Sequence, residues 1–146
     1  MKLFTIGFTQ KSAETFFGLL LQNGVKRVVD IRINPQGQLA GFAKQEDLPY
    51  FLNELANHCH YEYMPSLAPT LEMMHTYRKN GDWQAYFKGF ISLMNERQIP
   101  DSLDMKAFEM YPSCLLCSEA KPEKCHRLLV AERLADCWPD VEIIHL

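Results

Sequence analysis

Leu3-Phe4-Thr5-Ile6-Gly7 and Arg27-Val28-Val29-Asp30-Ile31-Arg32 are short runs rich in apolar and β-branched residues, the composition of buried strands. Between them Ala13, Phe16, Phe17, Leu20 and Leu21 recur at helical spacing, with Ser12 placed to cap the start and Gly24 to close the end. Two strands joined through a helix pair in parallel, because the crossover carries the chain back to the end from which it started. The alternation continues. Leu48, Phe51, Leu52 and Leu55 mark a second helix, entered through Gln45 to Pro49, and Tyr61 to Met64 reads as a third strand. Thr70 can cap a helix reaching about Lys79, Asn80-Gly81 ends it, and Asp82 caps another. In that next helix Trp83, Tyr86, Phe87, Phe90, Ile91 and Met94 form one broad apolar stripe, which is core far more often than a base-stacking platform. Asp101 to Phe108 is ambiguous, with a short helix as one reading. Pro112 to Cys117 predicts a fourth, fully buried strand. Pro122 suits an early position of a last helix that is apolar almost all round from Leu128 to Ala135, and Val141 to His145 gives a fifth strand. The predicted class is α/β: a single domain over residues 1–146, with a mostly parallel five-stranded sheet flanked by helices.

The balance of 47% hydrophobic and 23% charged residues supplies a full core and excludes intrinsic disorder. No apolar run approaches the roughly 18 residues a bilayer span requires, so no membrane partner is expected. Met1-Lys2 leads straight into a strand without the pattern of a secretory leader, which makes a cytoplasmic location the expectation. Five cysteines are an odd count and too few for a disulfide scaffold, so thiols, core filler or ligands are expected. A net charge of −3 removes the global attraction behind non-specific nucleic-acid binding, leaving only a local patch such as Lys121, Lys124 and Arg127 for that role.

In open parallel sheets ligands bind beyond the carboxyl ends of the strands, where loops and helix N-termini converge. That rule collects Gly7 and Thr9 after the first strand, Asp30 and Arg32 at the second, Cys117 and Glu119 after the fourth, and His145 at the fifth. Cys125, His126 and Arg127 join them if the last helix starts at the same rim. Cys117 to Arg127 thus holds two thiols, an imidazole, a carboxylate and a guanidinium within eleven positions. Near a helix N-terminus and an arginine, a thiolate is favoured, so Cys117 and Cys125 are candidate nucleophiles. The competing reading makes both cysteines small buried hydrophobes and pairs Arg127 with Glu119 or Asp30. Cys114, Cys117, Cys125 and His126 also suggest zinc ligands, but side chains three apart on a strand point to opposite faces. No metal and no cofactor are therefore expected. His58, His60 and His75 lie at element ends, as surface or structural residues.

Several of these pieces together resemble the domain of unknown function 488 family, a mainly bacterial family, over nearly the whole chain. Thr5-Ile6-Gly7-Phe8-Thr9 is similar to its Thr-Ile-Gly-His-Ser strand end, and Asp30-Ile31-Arg32 with Pro35 to its Asp-Val-Arg motif. Leu115-Leu116-Cys117-Ser118-Glu119, then Pro122 and Cys125-His126-Arg127, resemble its Leu-Leu-Cys-x-Glu and Cys-His-Arg signature, and Val141 to His145 its closing strand. Phe8 stands for the usual histidine, Thr9 for serine, and Leu67-Ala68-Pro69 for a Leu-Gly segment. The resemblance implies an α/β fold and a polar rim site, and no particular reaction. Asp30-Ile31-Arg32 is also similar to rhodanese-like domains, but Arg127 lies ten positions after Cys117 and two after Cys125, which does not fit their anion-cradling loop.

Two functional expectations follow. The first is an enzyme or ligand-binding domain with an anion or nucleotide site at the strand ends. There Arg32 and Arg127 hold negative charge, Cys117 or Cys125 attacks, Asp30 or Glu119 orients, and His126 or His145 moves protons, with Thr9 supplying a hydroxyl. The second is a non-catalytic module for nucleic acid or a protein partner, in which the same residues form a structural network.

Overall fold

The computed structural model describes residues 1–37 and 41–146. Its strands are β1 (Lys2–Gly7), β2 (Arg27–Asp30), β3 (His60–Tyr63), β4 (Ser113–Cys117) and β5 (Glu142–His145). Its helices are α1 (Ala13–Gln22), α2 (Leu48–Leu55), α3 (Leu71–Asn80), α4 (Trp83–Glu96), α5 (Met105–Met110) and α6 (His126–Cys137), with short 3-10 turns at Gly41–Ala43 and Pro65–Leu67. Each predicted cap is made: Ser12, Thr70 and Asp82 accept from the backbone N–H groups of Thr15, Met73 and Ala85. Gly81, at φ 63°, takes the left-handed turn that ends α3.

The sheet order is β3-β2-β4-β1-β5, and every pair is parallel, one step beyond the mostly parallel sheet expected. β4 runs down the middle, with Leu116 beside Ile6 on one side and Asp30 on the other, and Gly7 beside Cys117. Its burial on both faces explains the unbroken apolar run Cys114 to Cys117. Strand alternation divides the core in two. Phe4, Ile6, Val28, Cys114 and Leu116 pack with Phe16, Phe17 and Leu20 of α1 and Leu48 and Leu52 of α2. Leu3, Val29, Ile31 and Leu115 pack on the other face with Phe90 and Met94 of α4 and Leu129, Val130 and Leu134 of α6. Each buried Leu, Ile or Phe contributes about 1.5–3 kcal/mol over leaving it in water.

Several element ends differ from expectation, β1, β4 and β5 by one residue at their starts. β2 stops at Asp30, where the Asp30 carboxylate turns back to accept from the Arg32 backbone N–H. β3 spans His60 to Tyr63, one residue earlier than predicted. α6 starts at His126 rather than near Pro122, because Lys124 adopts a left-handed φ of 56° and Cys125 is extended. α5 resolves the ambiguous Asp101 to Phe108 stretch, with Asp104 as its cap.

Candidate functional site

Everything at the carboxyl rim hangs on the turn between β4 and α6. Arg127, fully buried in the first turn of α6, sends its guanidinium back to donate to the backbone carbonyls of Glu119 and Ala120. Gly7 makes room for this: a methyl group there would overlap the Glu119 carbonyl and lie 2.6 Å from Arg127 Nη1. The Thr9 N–H donates to the Ser118 carbonyl at 3.1 Å, tying the end of β1 to the same turn. The Pro122 carbonyl then accepts from Cys125 N–H at 3.1 Å, and Cys125 becomes the extended residue that enters α6.

This path brings Cys125 and His126 over Cys117. The two sulfurs are 3.2 Å apart, and His126 Nδ1 lies 3.7 Å from Cys117 Sγ. His126 Nε2 is 2.8 Å from the Ile31 carbonyl oxygen. A carbonyl only accepts, so Nε2 carries its hydrogen and Nδ1 is turned to the thiol. The hydrogen bond from Cys125 holds the Cys117 thiol well below its ordinary pKa, outweighing burial, and the charge of His126 adds to this. Cys125 is pushed far up, first by that same bond to Cys117 and then by burial. For His126 burial pulls downward, but the Cys117 charge and its hydrogen bonds win, and its pKa is raised. These shifts all run in the direction that favours a Cys117 thiolate between a Cys125 thiol and a His126 imidazolium.

Cys117, Cys125 and His126 each offer one donor atom, all within 4.8 Å of one another. Cys114 lies on the opposite face of β4, in the α1/α2 core, as its spacing from Cys117 requires. Tetrahedral zinc with bonds of about 2.3 Å to sulfur holds two thiolates about 3.8 Å apart. Here the sulfurs sit closer, at 3.2 Å, with the Cys125 thiol donating to Cys117.

The other predicted residues divide into groups. Asp30 and Arg32, both buried, form a two-pronged ion pair through Nε at 2.9 Å and Nη2 at 2.6 Å, and the Tyr61 hydroxyl donates to Asp30 at 2.7 Å. The Arg32 guanidinium also rests on the Phe8 ring, 5.3 Å from its centre, which gives the phenylalanine in place of histidine a packing role. Thr9, Arg32, Cys117, Glu119, Cys125 and His126 all line one cleft of about 580 Å³. Three do not reach it. Asp30 is spent on Arg32 and Tyr61, so it does not orient the thiols. Arg127 bonds the Glu119 carbonyl, neither an anion in the cleft nor the carboxylates of Glu119 or Asp30. His145 sits on the edge strand with Nδ1 2.7 Å from Thr5 Oγ1, and burial holds its pKa down.

The opposite wall was missed from sequence. His75 and Arg78 of α3, Tyr86 of α4 and Lys124 of the turn face the same cleft. The only signal was the polarity of α3, which buries no residue fully and packs on the core through half-buried Met73, Met74 and Tyr77. Among the described lining residues, Arg78 and Lys124 stand against the carboxylate of Glu119, while the charge of Arg32 is balanced by Asp30 behind it.

No curated protein and no solved structure matches the chain. Residues 12–134 match the family described as Domain of unknown function DUF488, a span that takes in Asp30, Arg32 and the whole cysteine-histidine cluster and leaves Thr9 and His145 outside. The chain therefore belongs to the DUF488 family.

Proposed function

We propose that the protein is an enzyme in which the Cys117 thiolate attacks an anionic substrate held in the cleft, a phosphorylated or carboxylated small molecule or nucleotide. One observation carries the reading: a thiol placed 3.2 Å from a second thiol and 3.7 Å from a histidine, on the wall of an open cleft. Arg32 keeps its Nη1 edge for the anion while Asp30 occupies Nε and Nη2, and Arg78 and Lys124 add positive charge from the other side. The sulfur electron pair forms the new bond, the leaving group departs with its own pair, and His126 gives it the Nδ1 proton.

Iodoacetamide at mildly acidic pH tests this, because an ordinary thiol of pKa about 8.5 is then almost wholly protonated. Cys117 is expected to react before Cys59, whose pKa burial pushes up to about 12, before the fully buried Cys114, and before Cys137, the exposed control for simple access. Labelling of Cys117 only after denaturation would overturn the assignment.

A further inference from the structure

A nucleophile needs one thiol, and this site has two. Cys125 has no capping bond to make at the start of α6, and its sulfur is directed at Cys117. We propose that Cys125 is a resolving thiol and that the cleft reduces anionic disulfides, passing through a mixed disulfide on Cys117 to a Cys117–Cys125 disulfide. The inference rests on the reading of Cys117 as the nucleophile.

The separation is short enough. A disulfide is about 2.05 Å long, so the sulfurs at 3.2 Å close by about 1.2 Å, a side-chain adjustment. The cations Arg32, Arg78 and Lys124 beside the pair select a disulfide that carries carboxylates or phosphates.

The steps balance. The Cys117 thiolate attacks one sulfur of the substrate; a Cys117–substrate disulfide forms, the substrate S–S bond breaks, and the departing thiolate takes the proton from His126 Nδ1. Cys117 then no longer carries a charge or accepts a hydrogen bond. Those are two of the influences that kept Cys125 protonated, while the Arg127 charge and backbone bond that favour its thiolate persist. Neutral His126, whose ring nitrogen lies within 4.8 Å of the Cys125 sulfur, takes the Cys125 proton through one bridging water. Cys125 attacks Cys117 Sγ, and the second substrate thiolate leaves. Two electrons pass from the protein to the substrate, and an external dithiol returns the protein to its starting state. Cys125 thus stays inactive until Cys117 has reacted.

Glutathione disulfide, an anionic disulfide, serves as the probe with the reduced full-length chain, read by acid quench, intact mass and peptide mapping. Wild type should lose two hydrogens, join Cys117 to Cys125 and release two glutathione molecules. Cys125→Ser should stop with one glutathionyl group on Cys117, lasting at least tenfold longer than any adduct on wild type. Cys117→Ser should form no adduct at Cys125, and Cys137→Ser should behave as wild type. Circular dichroism establishes that each variant is folded. If wild type keeps the glutathionyl group as long as Cys125→Ser does, Cys125 does not resolve, while Cys117 remains the nucleophile. If Cys117 takes iodoacetamide but never glutathione, the substrate class is wrong. A zinc ion retained at one per chain after dialysis against chelator would overturn both readings.

Discussion

His126 is a histidine with one nitrogen already committed. The Ile31 carbonyl fixes its tautomer, and packing against Phe90, with ring centres 5.9 Å apart, fixes its plane, so Nδ1 meets Cys117 without an orienting carboxylate. The cost of burying an imidazolium is met by the thiolate beside it, whose charge raises the His126 pKa above the ordinary value against the pull of burial. Linkage gives the sign. A pKa raised on folding adds stability that is fully present below the unfolded value, about 6.5, and is lost as pH rises through the folded one. His126→Gln can still donate to the Ile31 carbonyl but cannot carry the charge. In thermal melts taken above the lowered pKa of Cys117, wild type should exceed this variant most below about pH 6.5, and the gap should shrink at higher pH. A gap that widened with pH would mean that His126 is neutral in the folded protein.

The turn from β4 to α6 is the element that makes the site, and it depends on a contact between distant parts of the chain. Gly7 ends β1 and Arg127 begins α6, yet the absent side chain of one lets the other clamp the turn. Gly7→Ala forces the Glu119 carbonyl, a backbone group, to move, so the expected loss is about 3 kcal/mol, the upper end of the usual cost of overpacking. In urea unfolding the midpoint should fall together with Cys117 labelling; unchanged stability would show that the turn yields freely. The elements themselves were largely legible, since helical spacing from Ala13 to Leu21 and β-branched runs such as Val28-Val29 leave few alternatives. Placement was less so. Periodicity says that Ser113 to Cys117 is a buried strand, but not that it lies between β2 and β1. The grouping of Cys117, Cys125 and His126 could be read from spacing and the strand-end rule. The direction of Arg127 could not, because a guanidinium serves an anion or a carbonyl equally well and only burial decides between them. The α3 wall was hidden for the opposite reason: α3 only half-buries Met73, Met74 and Tyr77 against the core, which leaves a weak apolar stripe.

Over the whole molecule the charge is −3, while the cleft holds Arg78 and Lys124, with Arg32 paired to Asp30, beside Cys117 and the Glu119 carboxylate. On the proposed function, the cleft rather than the general surface is where an anion would bind. The net charge also counts against extended nucleic acid, whose backbone would cross the acidic remainder. The same thiol can report the local field if it is alkylated by two reagents of similar size, neutral iodoacetamide and negatively charged iodoacetate. Iodoacetate should gain relative to iodoacetamide at Cys117 compared with the exposed Cys137 on the same chain. Reversing a cation of the facing wall that makes no hydrogen bond to Cys117 or its partners, in Arg78→Glu, should lower the iodoacetate-to-iodoacetamide rate ratio at Cys117 several-fold. The iodoacetamide rate itself should change little, which separates a lost field from a damaged nucleophile. Raising the salt from about 0.01 M to 1 M shortens the screening length from about 30 Å to about 3 Å, so the wild-type ratio should fall toward that of the variant. A ratio equal to that of Cys137 at low salt would remove the case for an anionic substrate and leave the thiolate with a neutral one.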